Sequence, residues 1–232
     1  MTMRAILADL RFSIRNKWFG ITILATIVCL WLDLGTDSYW LLHGGTMNIT
    51  DLLIKALEGR GSALSLPLLS ALPCAGNALR ELSSGAARPA VFRSGRTAYI
   101  VGKVTAVLFV SILAQAVGVI LFCVLLLVFC PLETFAFPVA MIKARLLSTT
   151  IFAFIGGIGA LIAKDTVCAY VIPTAMCFAL TMLASRFFTD VKYLSPLSWL
   201  SGEGAIPLLC MLLAGITALY IAVLSIEVRR YV

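Results

Sequence analysis

Long apolar runs constrain this chain more than any other feature of its sequence. A helix needs about 20 mostly apolar residues to cross a bilayer, and six segments meet or approach that length. They cover residues 18–34, 62–79, 103–129, 146–163, 166–184 and 205–226. The second segment is the weakest because it contains Pro67, Pro73 and Asn77. We therefore expect an all-α, polytopic membrane protein with six transmembrane helices, forming a single domain over residues 1–232.

The overall composition supports a membrane protein. Of the 232 residues, 61% are hydrophobic and 12% are charged, whereas soluble proteins average about 25% charged residues. The net charge of +7 does not require a nucleic-acid partner, because the cytoplasmic loops of membrane proteins collect Lys and Arg. No basic run alternates with aromatic residues in the manner of a nucleic-acid groove. We expect the lipid bilayer as a partner and no nucleic acid.

The distribution of Lys and Arg predicts the orientation. If the N-terminus is inside, most Lys and Arg residues fall in inner segments and most acidic residues fall in outer loops. The outer loops then include Lys143 and Arg145, between the third and fourth runs. An excess of Lys and Arg is typical of the cytoplasmic side. Both termini are therefore expected in the cytoplasm, which an even number of spans allows.

Residues 1–17 carry an amphipathic pattern ahead of the first run. The apolar positions that recur at helical spacing are Met3, Ile6, Leu7, Leu10 and Ile14. The basic residues are Arg4, Arg11, Arg15 and Lys17. This pattern predicts an amphipathic helix lying on the inner leaflet. The alternative is a frayed basic tail.

Reactive side chains are sparse. The only histidine is His43, in the first outer loop, and the inner loops carry no P-loop or nucleophile motif. Seven cysteines lie within or beside apolar runs without a CxxC pair, which is typical of buried apolar residues. We expect no catalytic residue and no metal site. An intramembrane hydrolase would rest on His43 and scattered serines alone.

The fourth and fifth runs contain helix-modifying residues. Gly156, Gly157 and Gly159 allow neighbouring helices to approach closely. Close packing is the favoured interpretation, and a hinge is the alternative. Pro173 in the fifth run is compatible with a kink.

The segment 80–103 interrupts the apolar runs with basic and turn-forming residues. Those able to turn the chain are Ser83, Ser84, Gly85, Arg88 and Pro89. Residues 86–92 could form a short helix or a turn. In the favoured topology this is the largest cytoplasmic loop, and its simplest interpretation is an ordinary positively charged inner loop.

The chain resembles the permease subunits of type-2 ATP-binding-cassette (ABC) exporters over nearly its whole length. The similarity comprises a basic amphipathic N-terminal helix, six spans, both ends inside and no nucleotide-binding domain. In that family the loop after the second span carries a Glu, a Gly, basic residues, an aromatic residue and a Gly-Lys. Those positions read Glu81, Gly85, Arg88, Arg93, Tyr99, Gly102 and Lys103. A weaker match is YLSPLSWL at 193–200.

The resemblance implies a cytoplasmic coupling helix between transmembrane helices 2 and 3, which docks on an ATPase. The coupling residues it implies are Glu81, Gly85, Arg88, Arg93, Arg96, Tyr99 and Lys103. It also implies two copies of a separately encoded ABC ATPase subunit and a second copy of this chain. ATP and Mg would be bound by the ATPase, with no cofactor in this chain. A permease separate from its ATPase is a common prokaryotic arrangement, so the expected location is the bacterial cytoplasmic membrane.

The function implied by the resemblance is ATP-driven export from the cytoplasm or the inner leaflet. The apolar spans favour a hydrophobic or amphipathic substrate, and a peptide is the expected cargo. Drug-like molecules and lipids are alternative cargoes, and a non-transporting assembly or signalling subunit is the alternative function. By family analogy the first, second and fifth spans line the pathway, and Asn77, Gln115 and Thr174 could face it. An interhelical hydrogen bond is the competing interpretation of Gln115.

Overall fold

A computed structural model describes residues 2–43, 48–129, 137–188, 195–201 and 203–231, and all regular structure in these ranges is helical. In chain order the helices are α1 (Thr2–Ile14), α2 (Lys17–Asp33), α3 (Thr36–Leu42), α4 (Ile49–Glu58), α5 (Arg60–Ala71), α6 (Asn77–Ser83), α7 (Ala87–Ser94), α8 (Arg96–Phe129), α9 (Val139–Ala163), α10 (Cys168–Arg186) and α11 (Ile206–Tyr231). Two short 3₁₀ helices, Pro196–Ser201 and Glu203–Ala205, precede α11. Part of the 193–200 motif, residues 193 and 194, lies outside the described residues.

Four helices in the described ranges, α8 to α11, are long and apolar enough to cross a membrane. Leu7–Ile14 of α1 and Lys17–Asp33 of α2 meet at 58° and count as a fifth candidate if the bent pair is one span. Since each spanning helix satisfies its own backbone hydrogen bonds, such helices are suited to hydrocarbon. The chain is therefore an all-helical, multi-pass membrane protein.

The boundary between α1 and α2 follows from a capping residue. The side chain of Asn16 accepts a hydrogen bond from the Trp18 backbone N–H at 3.3 Å. Asn is favoured at this position because its side chain satisfies an amide that has no partner within the helix. The chain can therefore end the amphipathic helix α1 and begin α2 in a new direction.

Residues 62–79, expected as the second span, do not form one continuous helix. α5 ends at Ala71, residues 72–76 form a turn, and α6 begins at Asn77. Pro73 lies in the turn and has no backbone N–H to continue the helix. Pro67 stays inside α5. This segment is therefore a broken helix pair.

The long helix α9 is the centre of the packing and contacts α5, α8, α10 and α11. The neighbouring helices approach α9 closely at its glycines. A Cβ on Gly156 would lie 2.3 Å from the backbone oxygen of Ala169 in α10, and one on Gly157 would lie 2.8 Å from the Tyr220 ring in α11. Gly159 is similarly crowded by α10. These distances support the close-packing interpretation of the glycine cluster.

Two buried apolar clusters mark the two ends of the bundle. One joins α4 to the later part of α8 through Leu53 and Phe122, and we call this the α4 end. The other joins α6 to α8, α9 and α11 through Leu79, Val107 and Tyr220, and we call this the α6–α7 end. Most of the sequence-predicted coupling residues lie at the second end.

Candidate functional site

The α6–α7 pair is a compact helix–turn–helix between the broken segment and α8. Gly85 has a φ of +77° in the turn, and Gly95 has a φ of +86° between α7 and α8. Glycine adopts positive φ at no steric cost, which explains why the chain can reverse at both places. The segment 86–92, for which the sequence allowed a short helix or a turn, lies largely in the helix α7.

A charged cluster binds this element to the rest of the bundle. The Lys103 Nζ lies 2.6 Å from Glu81 Oε1 and 2.9 Å from Asp9 Oδ1. The Tyr99 hydroxyl donates to Glu81 Oε2 at 3.2 Å. We call these four residues the Lys103 cluster. Tyr99 and Lys103 lie one turn apart on α8, so both can reach the Glu81 carboxylate on α6. Since Lys103 also pairs with Asp9 on α1, the cluster connects α1, α6 and α8.

Burial explains why Lys103 needs two acidic partners. The residue is 5% exposed, and an ammonium removed from water is costly unless it is paired and hydrogen-bonded. The Asp9 and Glu81 side chains are each 25% exposed, so both carboxylates keep some contact with water. Gly102 leaves room for the approach of α1, since a Cβ there would lie 3.1 Å from Asp9 Oδ2.

Sequence reasoning missed Asp9. It is the only acidic residue among residues 1–17, on a helix otherwise rich in Arg. A single carboxylate in a basic amphipathic helix was a usable signal for an internal ion pair. Its partner, Lys103, is 94 residues away in the sequence, so no local pattern pointed to it.

A second contact joins α7 to the end of the chain. The Arg88 Nε donates to the backbone oxygen of Tyr231, the last residue of α11, at 2.8 Å. The carbonyls of a final helical turn have no partner within the helix and favour cations. This contact places α7 and the C-terminal end of α11 at the same end of the bundle.

The outer surface of α7 and the start of α8 is exposed. Phe92 is 81% exposed, and Arg93 and Arg96 are also exposed. The predicted coupling residues therefore divide into two groups. Glu81, Tyr99 and Lys103 are engaged with one another, while the side chains of Arg88, Arg93 and Arg96 are exposed. The Glu81 carboxylate, which the resemblance assigns to coupling, is paired with Lys103.

The three predicted pathway residues lie on three different helices, α6, α8 and α10, and no hydrogen bond in the described part of the chain joins them. Asn77 Nδ2 donates to Ser13 Oγ at 3.4 Å. Gln115 on α8 is fully buried, and neither of its amide atoms has a hydrogen-bond partner among the described residues. The Thr174 hydroxyl donates to the Tyr170 backbone oxygen of its own helix at 2.8 Å.

The other end of the bundle holds a polar group that the sequence analysis did not anticipate. The Asp33 carboxylate accepts hydrogen bonds from the backbone N–H of Gly61 at 3.0 Å and of Ser62 at 2.5 Å. It thus caps the start of α5 from the end of α2, where a negative charge is favoured by the helix dipole. Gly59 is closely packed here, since a Cβ would lie 2.2 Å from Asp33 Cγ.

Arg145 is the second member of this polar group. It was expected in an outer loop, but α9 begins at Val139 and buries Arg145 to 1% exposure. Its Nη1 donates to Ser62 Oγ at 3.3 Å. Its Nε and Nη2 have no partner in the described ranges. α9 therefore begins seven residues before the expected fourth span, 146–163, which is about two helical turns.

Among the residues that the structure describes, no group of three or more His, Cys, Asp or Glu side chains could hold a metal ion. Comparison with family models, with curated proteins and with solved structures finds no match to this chain.

Proposed function

We propose that this chain is the membrane-spanning subunit of an ATP-driven ABC exporter, in which α7 docks on a separately encoded ATPase. The observation that supports the proposal is the difference between the two faces of the α6–α7 pair. Its outer face presents Phe92 and Arg93, while its inner face is held by the Glu81–Lys103 ion pair. Aromatic residues and Arg are enriched at protein–protein interfaces, so this outer face is suited to docking on a soluble partner.

The contacts of this pair give a physical route for coupling. A displacement of α7 is carried to α6 through the short turn at Gly85. The Glu81–Lys103 pair then links α6 to the long helix α8, and Arg88 links α7 to α11. Breaking a largely buried ion pair leaves an uncompensated charge. The helices are therefore expected to move together when the ATPase closes.

The energy source is assigned to the partner for a chemical reason. The chain contains no P-loop or other Gly-rich phosphate-binding motif. ATP and Mg would therefore be held by the ATPase subunit. The proposed complex contains two copies of this chain and two copies of the ATPase.

The orientation is proposed from contacts at one end of the bundle. The Asp9–Lys103 pair and the Arg88–Tyr231 hydrogen bond bring α1, α7 and the end of α11 together. We assign this end to the cytoplasmic side of a bacterial cytoplasmic membrane, where Lys and Arg are enriched. The α6–α7 pair is then accessible to a cytosolic ATPase.

The proposed cargo is a hydrophobic or amphipathic molecule, with a peptide favoured. α10 and α11 expose large apolar side chains, including Met176, Phe178 and Met211. Such surfaces are compatible with lipid or with a second copy of this chain. They offer few fixed charges to a polar cargo.

The deciding experiment is the mass of the intact complex, extracted in mild detergent from the native membrane. The expected result is two copies of this chain with two copies of a P-loop ATPase. Phe92→Ser should remove the ATPase while leaving this chain folded. Phe187→Ser is the matched control, because Phe187 is also strongly exposed, at 73%, but lies at the end of α10. Recovery of this chain without any nucleotide-binding protein, even after crosslinking, would contradict the proposal.

A further inference from the structure

A second feature of the α6–α7 end is an open cavity of about 960 Å³ between α1, the start of α2 and α6. Its basic lining comes from all three elements. Arg11 and Arg15 belong to the α1 side, Lys17 begins α2, and Arg80 lies on α6. The aromatic ring of Phe12 also lines it. The Arg88, Arg93 and Arg96 side chains are not part of this lining.

The cavity carries an excess of positive charge. Among the residues that the structure describes, Glu81 is the only acidic one that lines it, and its carboxylate is already paired with Lys103 at 2.6 Å. Within the described part of the chain, none of the four lining cations forms an ion pair. Four cations held around one space repel each other unless an anion joins them. The geometry therefore favours an anionic ligand.

The start of α2 adds to this field. Asn16 and Lys17, at the N-terminus of this 17-residue helix, both line the cavity. The N-terminus of a helix carries a partial positive charge and binds phosphate readily. The Trp18 N–H is already capped by Asn16, so the helix terminus contributes to the positive field, and the side-chain cations would make the direct contacts to a phosphate group.

The surroundings of the cavity indicate where that phosphate comes from. On α1, Leu7 is 57% exposed and Phe12 is 64% exposed. α1 is amphipathic and meets α2 at 58°, as expected for a helix at the membrane surface that leads into a span. The cations of the cavity match the negative headgroup of a lipid, and the exposed apolar side chains of α1 match its upper acyl chains.

We propose that this cavity binds the phosphate headgroup of an anionic phospholipid, with its acyl chains along Leu7 and Phe12. Basic pockets between helices at the inner leaflet are physically suited to such headgroups. The bound lipid would hold α1 against α6 beside the Lys103 cluster. This inference does not depend on the exporter function, and it shares with the proposed function only the assignment of the α6–α7 end to the inner side of the membrane.

The test is binding of soluble short-chain phosphatidylglycerol to the purified protein in detergent, measured by native mass spectrometry. The cavity variant combines Arg11→Gln, Arg15→Gln and Arg80→Gln. Each cation contributes about fivefold near a lipid surface, so the triple change should weaken binding about 100-fold. All three side chains are exposed, and the melting temperature should therefore stay close to that of the wild type.

The matched control combines Arg93→Gln, Arg96→Gln and Arg229→Gln, which removes the same charge from exposed positions outside the cavity. It should retain phosphatidylglycerol. Equal loss of lipid in both variants would overturn the proposal, since it would reflect diffuse surface charge. Equal binding of zwitterionic phosphatidylcholine would also overturn it.

Two further measurements distinguish a phospholipid from other sources of the anion. Inorganic phosphate should compete only weakly, because it lacks acyl chains for Leu7 and Phe12. Binding of inorganic phosphate as tightly as phosphatidylglycerol would overturn the lipid assignment in favour of a free anion. If the cavity variant kept its lipid but lost a co-purifying acidic protein, the cavity would be a protein-docking site and the lipid proposal would be wrong.

Discussion

The ammonium of Lys103 on α8 lies 2.6 Å from a carboxylate oxygen of Glu81 on α6. The pair connects a candidate membrane span directly to the helix that precedes the exposed α7. Tyr99 fixes the other oxygen of the same carboxylate. The position of α6 relative to α8 is therefore set by charge and hydrogen bonding as well as by apolar packing.

The first prediction concerns the cation of this cluster. Lys103→Met should destabilise the protein by about 2 kcal/mol, because Asp9 and Glu81 would then face each other without a counter-charge. The loss is smaller than for a fully buried pair, since both carboxylates are partly exposed. Thermal unfolding in detergent measures it. Lys143→Met, at an exposed position on α9, should unfold like the wild type, and equal melting temperatures for both variants would refute the structural role of Lys103.

The second prediction tests the contact between α7 and α11. Arg88→Ala removes the hydrogen bond to the Tyr231 carbonyl and should loosen α7. The backbone amides of 87–94 should then exchange with deuterium faster, as measured by hydrogen-exchange mass spectrometry. Arg93→Ala, an exposed position on the same helix, should leave the exchange rates unchanged. Unaltered exchange in the Arg88 variant would show that the hydrogen bond does not restrain α7.

The third prediction concerns the cap on α5. Gly59→Ala would place a methyl group 2.2 Å from Asp33 Cγ and push the carboxylate away from the backbone amides that it caps. We expect a loss of roughly 1–3 kcal/mol in stability, as for other overpacked sites. Gly20→Ala is the control, since a Cβ there meets nothing within 4 Å. A Gly59 variant as stable as the control would mean that Asp33 can move without cost.

The fourth prediction distinguishes packing from hinge motion in α9. A Cβ on Gly156 would lie 2.3 Å from a backbone oxygen of α10, which cannot move aside like a flexible side chain. Gly156→Ala should therefore lower stability by about 3 kcal/mol. Gly215→Ala on α11, where a Cβ meets nothing within 4 Å, should be neutral in thermal unfolding. If the Gly156 variant kept full stability but lost the proposed export activity, the result would instead favour the hinge.

Several features could be predicted from the sequence because they depend on local composition. Apolar run length indicated a helical membrane protein, and the change of composition at 80–103 indicated an interruption that could hold a short helix or a turn, where the structure has α7. The glycines from Gly156 to Gly159 indicated a tightly packed face. Pro73 weakened the second run, and the structure places it in the turn that breaks that segment. Each of these follows from properties of neighbouring residues.

The relations between distant residues were decided by the tertiary structure. The partnership of Asp9 with Lys103 spans 94 positions, and its formation depends on how α1 packs against α8. Arg145 looked like a loop residue, but the packing of α9 against α5 buries it beside Ser62. Local sequence fixes which segments are helical and apolar, whereas the pairing of their polar groups depends on which helix faces meet.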